Sequence, residues 1–191
     1  MTLRDELAQA IHSENFDVTD SGLYFPRQGV MASGEYFDRI NSGEWKKSLN
    51  LVVTEGLALI LNVALGSSPK PTGLYLALFS GTAAPAANWT AASFSATANE
   101  IVSMTEGYTS PTRPQWEPEN TSGNSIDNME SVARVTIATA SALNVTGAAM
   151  LTNSTKGGTT GALISATKYS SERVFQDGDT YDIGYRLSLT V

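Results

Sequence analysis

The chain has 191 residues and sets 12 Lys and Arg against 19 Asp and Glu, for a formal net charge of −7. That balance excludes the clustered cations that neutralise phosphates, so no nucleic-acid partner is expected. The absence of cysteine excludes a disulfide framework, a thiolate nucleophile and a cysteine-based zinc site, and a charged content of only 16% describes a surface that partners usually cover in part.

Residues 2–11 have Leu3, Leu7 and Ile11 at four-residue spacing, with Arg4, Asp5 and Glu6 on the other side, which predicts a short amphipathic helix. A helix below about 12 residues rarely holds alone in water, so this one needs a surface to lie against. The same N-terminus has acidic residues where a signal peptide places basic ones, and the chain is expected to be made and kept in a cytoplasm. Residues 13–43 follow with several glycines and with Phe16, Tyr24, Phe25, Tyr36 and Phe37, and Trp45 lies just beyond them. Aromatic residues without a clear period suggest an extended arm that packs on a neighbouring surface. A strand or two added to the main domain is the other reading. The expected division is an N-terminal arm with a short helix over residues 1–47 and a β-rich assembly domain over residues 48–191.

Over residues 51–65 apolar side chains circle most of a helix, so burial on nearly every side is expected. The segment is too short for a ~30 Å hydrocarbon core, and Thr54, Glu55 and Asn62 interrupt it, which favours burial in protein over a membrane. Gly66 ends the helix, Pro69 and Pro71 make a turn, and Leu74 to Phe79 returns as an apolar run of strand length. Residues 80–128 read as a long structured connection that touches another chain, with Trp89, Phe94, Tyr108 and Trp116 as anchors and Pro111, Pro114 and Pro118 stiffening the backbone.

The remainder reads as strands. Ala133, Val135 and Ile137 alternate with polar neighbours, and residues 143–151 and 162–167 flank a KGGTTG turn over residues 156–161. The last segment alternates without fault from Tyr181 to Val191 after the turn Asp177-Gly178-Asp179. The fold class expected is mainly β: an antiparallel β-sandwich or jelly-roll-like domain with one buried helix and an extended N-terminal arm.

Catalytic templates fail on inventory. The one histidine, His12, sits beside the N-terminal helix and reads as a surface residue. The KGGTTG run lacks the order of a phosphate-binding loop. Asp177 and Asp179 do not continue into a calcium-binding loop. Glu100, Glu106, Glu117 and Glu119 have no regular spacing and read as solvated loop residues. Trp89, Tyr108 and Trp116 could stack on sugars, although anchoring of the connection is the favoured reading. No catalytic residue, cofactor or metal ligand set is expected.

Taken in order, the segments NLVVTEGLALILNVAL, LYLALFSG, TEGYTSPTRPQW, SIDN, GAAMLTNSTKGGTTGALISATKY and GDTYDIGYRLSLTV resemble a class of tailed-bacteriophage virion structural proteins. In that class a helix precedes a YLALF strand, a loop with a GY and an R-x-W follows, and hairpins and an alternating strand close the chain. The resemblance covers residues 50–191. It implies a non-enzymatic virion component made in the host cytoplasm, assembling as a symmetric oligomer in the tail, collar or fibre-attachment apparatus. The alternatives are a capsid decoration protein and, from a different class, a carbohydrate-binding or host-adhesion module. Partners implied are copies of the chain itself and other virion proteins, with the interface drawn from Leu3, Leu7, Ile11, Phe16, Tyr24, Phe25, Tyr36, Phe37, Trp45, Trp89, Tyr108 and Trp116.

Overall fold

A computed structural model describes residues 17–20, 22–24 and 31–190, and the chain divides into a unit of Met1–Met31 with Thr190–Val191 and a unit of Ala32–Leu189. In the first, β1 (Asp17–Thr19) and β2 (Gly22–Tyr24) form an antiparallel hairpin pairing Asp17 with Tyr24. Gly22, at φ +118°, supplies the backbone conformation that the tight connection demands.

The second unit is mainly β and has two antiparallel sheets. One contains β3 (Met31–Ile40), β4 (Lys46–Leu49), β7 (Gly107–Tyr108), β9 (Ser125–Asp127), β10 (Ala133–Ala138) and β13 (Thr180–Thr190), in the order β4-β3-β13-β10-β7, with β9 also on β13. The other runs β5 (Leu51–Val52), β12 (Leu163–Phe175), β11 (Leu143–Leu151), β6 (Leu74–Phe79) and β8 (Gln115–Trp116). A β-sandwich is the result.

Its core sits between the sheets. Val135 and Ile137 of β10 and Tyr181, Ile183 and Tyr185 of β13 pack against Leu76, Leu78, Ala148 and Met150 of the facing sheet. The unbroken apolar run of β6 has a cause: Leu76 and Leu78 face this core, while Ala77 and Phe79 face a second cluster on the outer side of the same sheet. Strands buried on both faces lose their alternation.

The outer cluster is covered by helix α2 (Ala91–Ala98). Thr90 caps it, its hydroxyl accepting from Ser93 N–H while the Ser93 hydroxyl accepts from Thr90 N–H, and Asn99 ends it in the left-handed conformation at φ 55°. Phe94 meets Phe79 edge-on at 6.1 Å, and Trp89 closes the trio at 6.4 Å from each ring. Residues 80–128 are thus not one long connection but hold α2, β7, β8 and β9.

Two further expectations change. The boundary at residue 47 falls inside β4, and β3 pairs with β4 on one side and β13 on the other. Residues 31–40 and 46–49 are therefore sheet strands joined by a turn and not an arm, and Tyr36 is fully buried. The helix expected over 51–65 begins only at Thr54, because Leu51 and Val52 pair with Ala166 and Ser165 of β12. Within α1 (Thr54–Ala64) only Gly56 is buried. A Cβ on Gly56 would stand 2.2 Å from the Ile164 carbonyl oxygen, so the helix lies directly on the β12 backbone.

The tie between the sheets yields a prediction. Arg173 of β12 forms a bidentate pair with Asp38 of β3, at 2.7 and 2.9 Å, and both side chains are buried. A chain starting at Ser48 loses Asp38 and leaves a buried guanidinium unpaired, so it should show no cooperative unfolding transition in urea; a transition like that of the full chain would contradict this topology.

The buried tyrosines yield another. Burial is the first cause raising the phenol groups of Tyr36, Tyr108, Tyr169, Tyr181 and Tyr185 above their ordinary value. Above about pH 10 unfolded tyrosines ionise while these stay protonated, so the native state binds more protons and stability falls as pH rises. Lys156, pushed down to about 8 by burial, acts oppositely between its folded and unfolded values, but it is one group against five. The tyrosinate absorbance contributed by these five of the seven tyrosines should therefore rise in step with loss of near-ultraviolet circular dichroism; ionisation of these rings in the folded protein would contradict it.

Candidate functional site

The sequence places one charged residue, Glu55, in residues 49–69, and that carboxylate is occupied. Its Oε2 accepts from Ala91 N–H at 2.8 Å and Leu163 N–H at 2.6 Å, which places negative charge at the start of α2 and fixes α1 to β12. From this fixed end, α1 presents two apolar surfaces. On one side, Leu59 and Val63 line a cavity of about 420 Å³ together with Leu74 of β6, Trp116 of β8, Ile126 of β9 and Leu187 of β13. The Trp116 indole N–H is satisfied by the Tyr185 carbonyl at 3.0 Å, so what this ring offers the cavity is apolar surface.

On the other side, Leu57, Leu61 and Leu65 are 40%, 58% and 84% exposed. These fractions are decisive, because four-residue spacing places all three on one stripe of the helix. Ala58 and Ala64 are exposed beside them. Leu49 and Leu51, on the neighbouring strands β4 and β5, are exposed as well. The helical stripe is a continuous apolar surface, and such a surface marks a contact site more often than scattered single residues do.

The segment between α2 and β8 is held by a buried ion pair. Arg113 donates to both oxygens of Glu100 at 2.7 and 2.8 Å, and neither side chain is exposed. Arg113 also donates to the Asn153 carbonyl, while Glu100 accepts from Gly157 N–H. Beside them, the Lys156 ammonium sits 3.5 Å from the Tyr108 ring centroid and donates to the Tyr108 carbonyl. The KGGTTG turn is therefore engaged in structural bonds, and Glu100 is not a solvated loop residue. The acidic turn is similar: Asp177 accepts from Thr139 N–H, and Asp179 from Gln176 N–H and the Asn41 amide.

The interface residues expected from sequence fall into three groups. Leu3, Leu7, Ile11, Phe16 and Phe25, with His12, lie outside the described residues, and Tyr24 is in β2. Tyr36, Trp89, Tyr108 and Trp116 are buried and belong to the core clusters, which corrects their assignment as contact residues. Their burial favours the anchoring role for Trp89, Tyr108 and Trp116. Phe37 is half-buried below the Arg186 guanidinium, and Trp45 is exposed with Arg39 over its ring at 4.4 Å. Leu57, Leu61 and Leu65 are not among the expected interface residues, although the apolar run over residues 51–65 signals cover without saying what supplies it.

Among the described residues no three His, Asp or Glu side chains stand together as a metal site, and no helix is long and apolar enough to cross a membrane. Compared with known protein families and with curated proteins, the chain matches none.

Breaking a buried pair leaves an uncompensated charge and typically costs about 3–5 kcal/mol. Arg113→Met should destabilise the protein by that order in urea unfolding, and adding Glu100→Gln should recover a large part of the loss. A single variant as stable as the parent would show that Glu100 and Arg113 do not hold this segment.

Proposed function

We propose that this protein is a non-enzymatic structural component of a tailed-bacteriophage virion, assembling as a symmetric oligomer in the tail, collar or fibre-attachment apparatus. The observation that carries the reading is the exposed apolar surface of α1 with Leu49 and Leu51, which a lone chain leaves in water and an assembly covers. The sequence segments on which the phage resemblance rests lend support of a second kind. Leu76 to Phe79 of the YLALF strand, Tyr108, Arg113 and Trp116 are all buried, so the resemblance lies in the scaffold that holds the sandwich together. A charged content of 16% and a net charge of −7 suit contacts with protein and not with phosphate backbones. Its partners on this reading are copies of itself and other virion proteins.

Quantitative mass spectrometry of purified phage particles tests the proposal. The protein should be present at the low copy number set by tail symmetry. A stoichiometry of capsid order would reassign it to capsid decoration, and its absence from particles that package and infect normally would overturn the virion reading.

A further inference from the structure

We propose that the exposed stripe of α1 is the contact between two copies of this chain, packed antiparallel across a two-fold axis through Leu61. The proposal deepens the oligomeric reading above and rests on it. Three observations on the helix select a second copy as the occupant.

The first is the order of residues. Counting outward from Leu61, Ala58 and Ala64 stand three positions away, and Leu57 and Leu65 four positions away. All five are exposed, and they run along one side of the helix, with Ala64 at its border with the cavity that Leu59 and Val63 line. The stripe therefore reads the same from either end. Antiparallel packing about Leu61 sets Leu57 of one copy against Leu65 of the other, with the small alanines letting the helices approach. An isologous interface requires that self-complementarity, in which one patch meets itself. A different protein would have no need of it.

The second is charge. Each chain has a net charge of −7, so two copies repel wherever acidic surfaces face each other. In residues 49–69 Glu55 is the one charged residue, and its Oε2 is bonded to Ala91 and Leu163 N–H. The stripe is thus a face that this acidic chain can present to itself without an unpaired charge being buried.

The third is the weakness of α1 by itself. It has 11 residues, its N-cap Val53 makes no side-chain cap bond, and its last turn has no basic residue. A helix of that length draws its stability from packing, and this chain covers the Gly56 side and, across the cavity, the Leu59 and Val63 side. The second copy covers the side of Leu57, Leu61 and Leu65.

The test uses the full chain, which has no cysteine. Light scattering on a sizing column should give the wild type an even multiple of the 20.3 kDa chain mass, and Leu61→Glu should halve it or lower it further while the β-sheet circular dichroism signal of the sandwich is kept, because residue 61 is exposed. Independently, Leu61→Cys should form an interchain disulfide under mild oxidation, whereas Val102→Cys, at a similarly exposed position, should form far less. This cysteine pair decides the matter if Leu61→Glu fails to fold. A wild-type oligomer that keeps its mass in Leu61→Glu and does not crosslink selectively through residue 61 overturns this interface and leaves the oligomeric reading standing. A wild-type monomer overturns both.

Discussion

The sandwich depends on the Asp38–Arg173 pair. Asp38 belongs to β3 and Arg173 to β12, strands of opposite sheets, and the two nitrogens of the guanidinium fork meet both carboxylate oxygens in the space between them. A third arginine donor goes to the Ser171 carbonyl, and the guanidinium lies 4.4 Å from the Tyr169 ring centroid. Charge buried in this way is tolerated only when each partner is matched. The pair therefore fixes how the sheets can be placed on each other. Weaker ties repeat the pattern: the Tyr36 hydroxyl meets Ser165, Tyr181 donates to Tyr169, and Trp116 donates to the Tyr185 carbonyl. Each crosses from one sheet to the other, so the tyrosine-rich core is set by directional bonds as well as by apolar area.

This constraint explains which parts of the fold were legible in the sequence. β10 and β13 were visible because each has one face in the inter-sheet core, and period two survives there. Even in β13 the polar face is not solvent: Asp182 is buried between Arg39 and Arg134, whose hydrogen bond, with that of Arg39, holds its carboxyl below the usual range. The strand status of residues 31–40 was obscured because Tyr36 and Asp38 share the inward face, and a buried aspartate makes no sense until Arg173 is opposite it. Helix α2 was missed because AASFSATA has a single large apolar side chain. Its signals were local, the Thr90 and Ser93 capping box and the alanines at 91 and 98 around Phe94. The Glu100–Arg113 pair has no period to betray it, since the twelve residues between its members hold only the two-residue strand β7.

Helix α1 shows the opposite situation. Its apolar pattern predicts a helix buried on most sides, whereas the structure buries only Gly56 of it; composition cannot distinguish cover by the same chain from cover by another. The structure divides the demand. Gly56, Leu59 and Val63 face this chain, and Leu57, Leu61 and Leu65 face outward. The sandwich is tied by buried ion pairs, whereas one side of α1 is left exposed.

That division can be measured directly by hydrogen exchange of the full chain at several protein concentrations. Amides of residues 54–64 should lose protection on dilution while those of β11 and β12 keep theirs, because only the helix borrows stability from association. Protection of the helix that is independent of concentration and equal to that of the core strands would contradict the account.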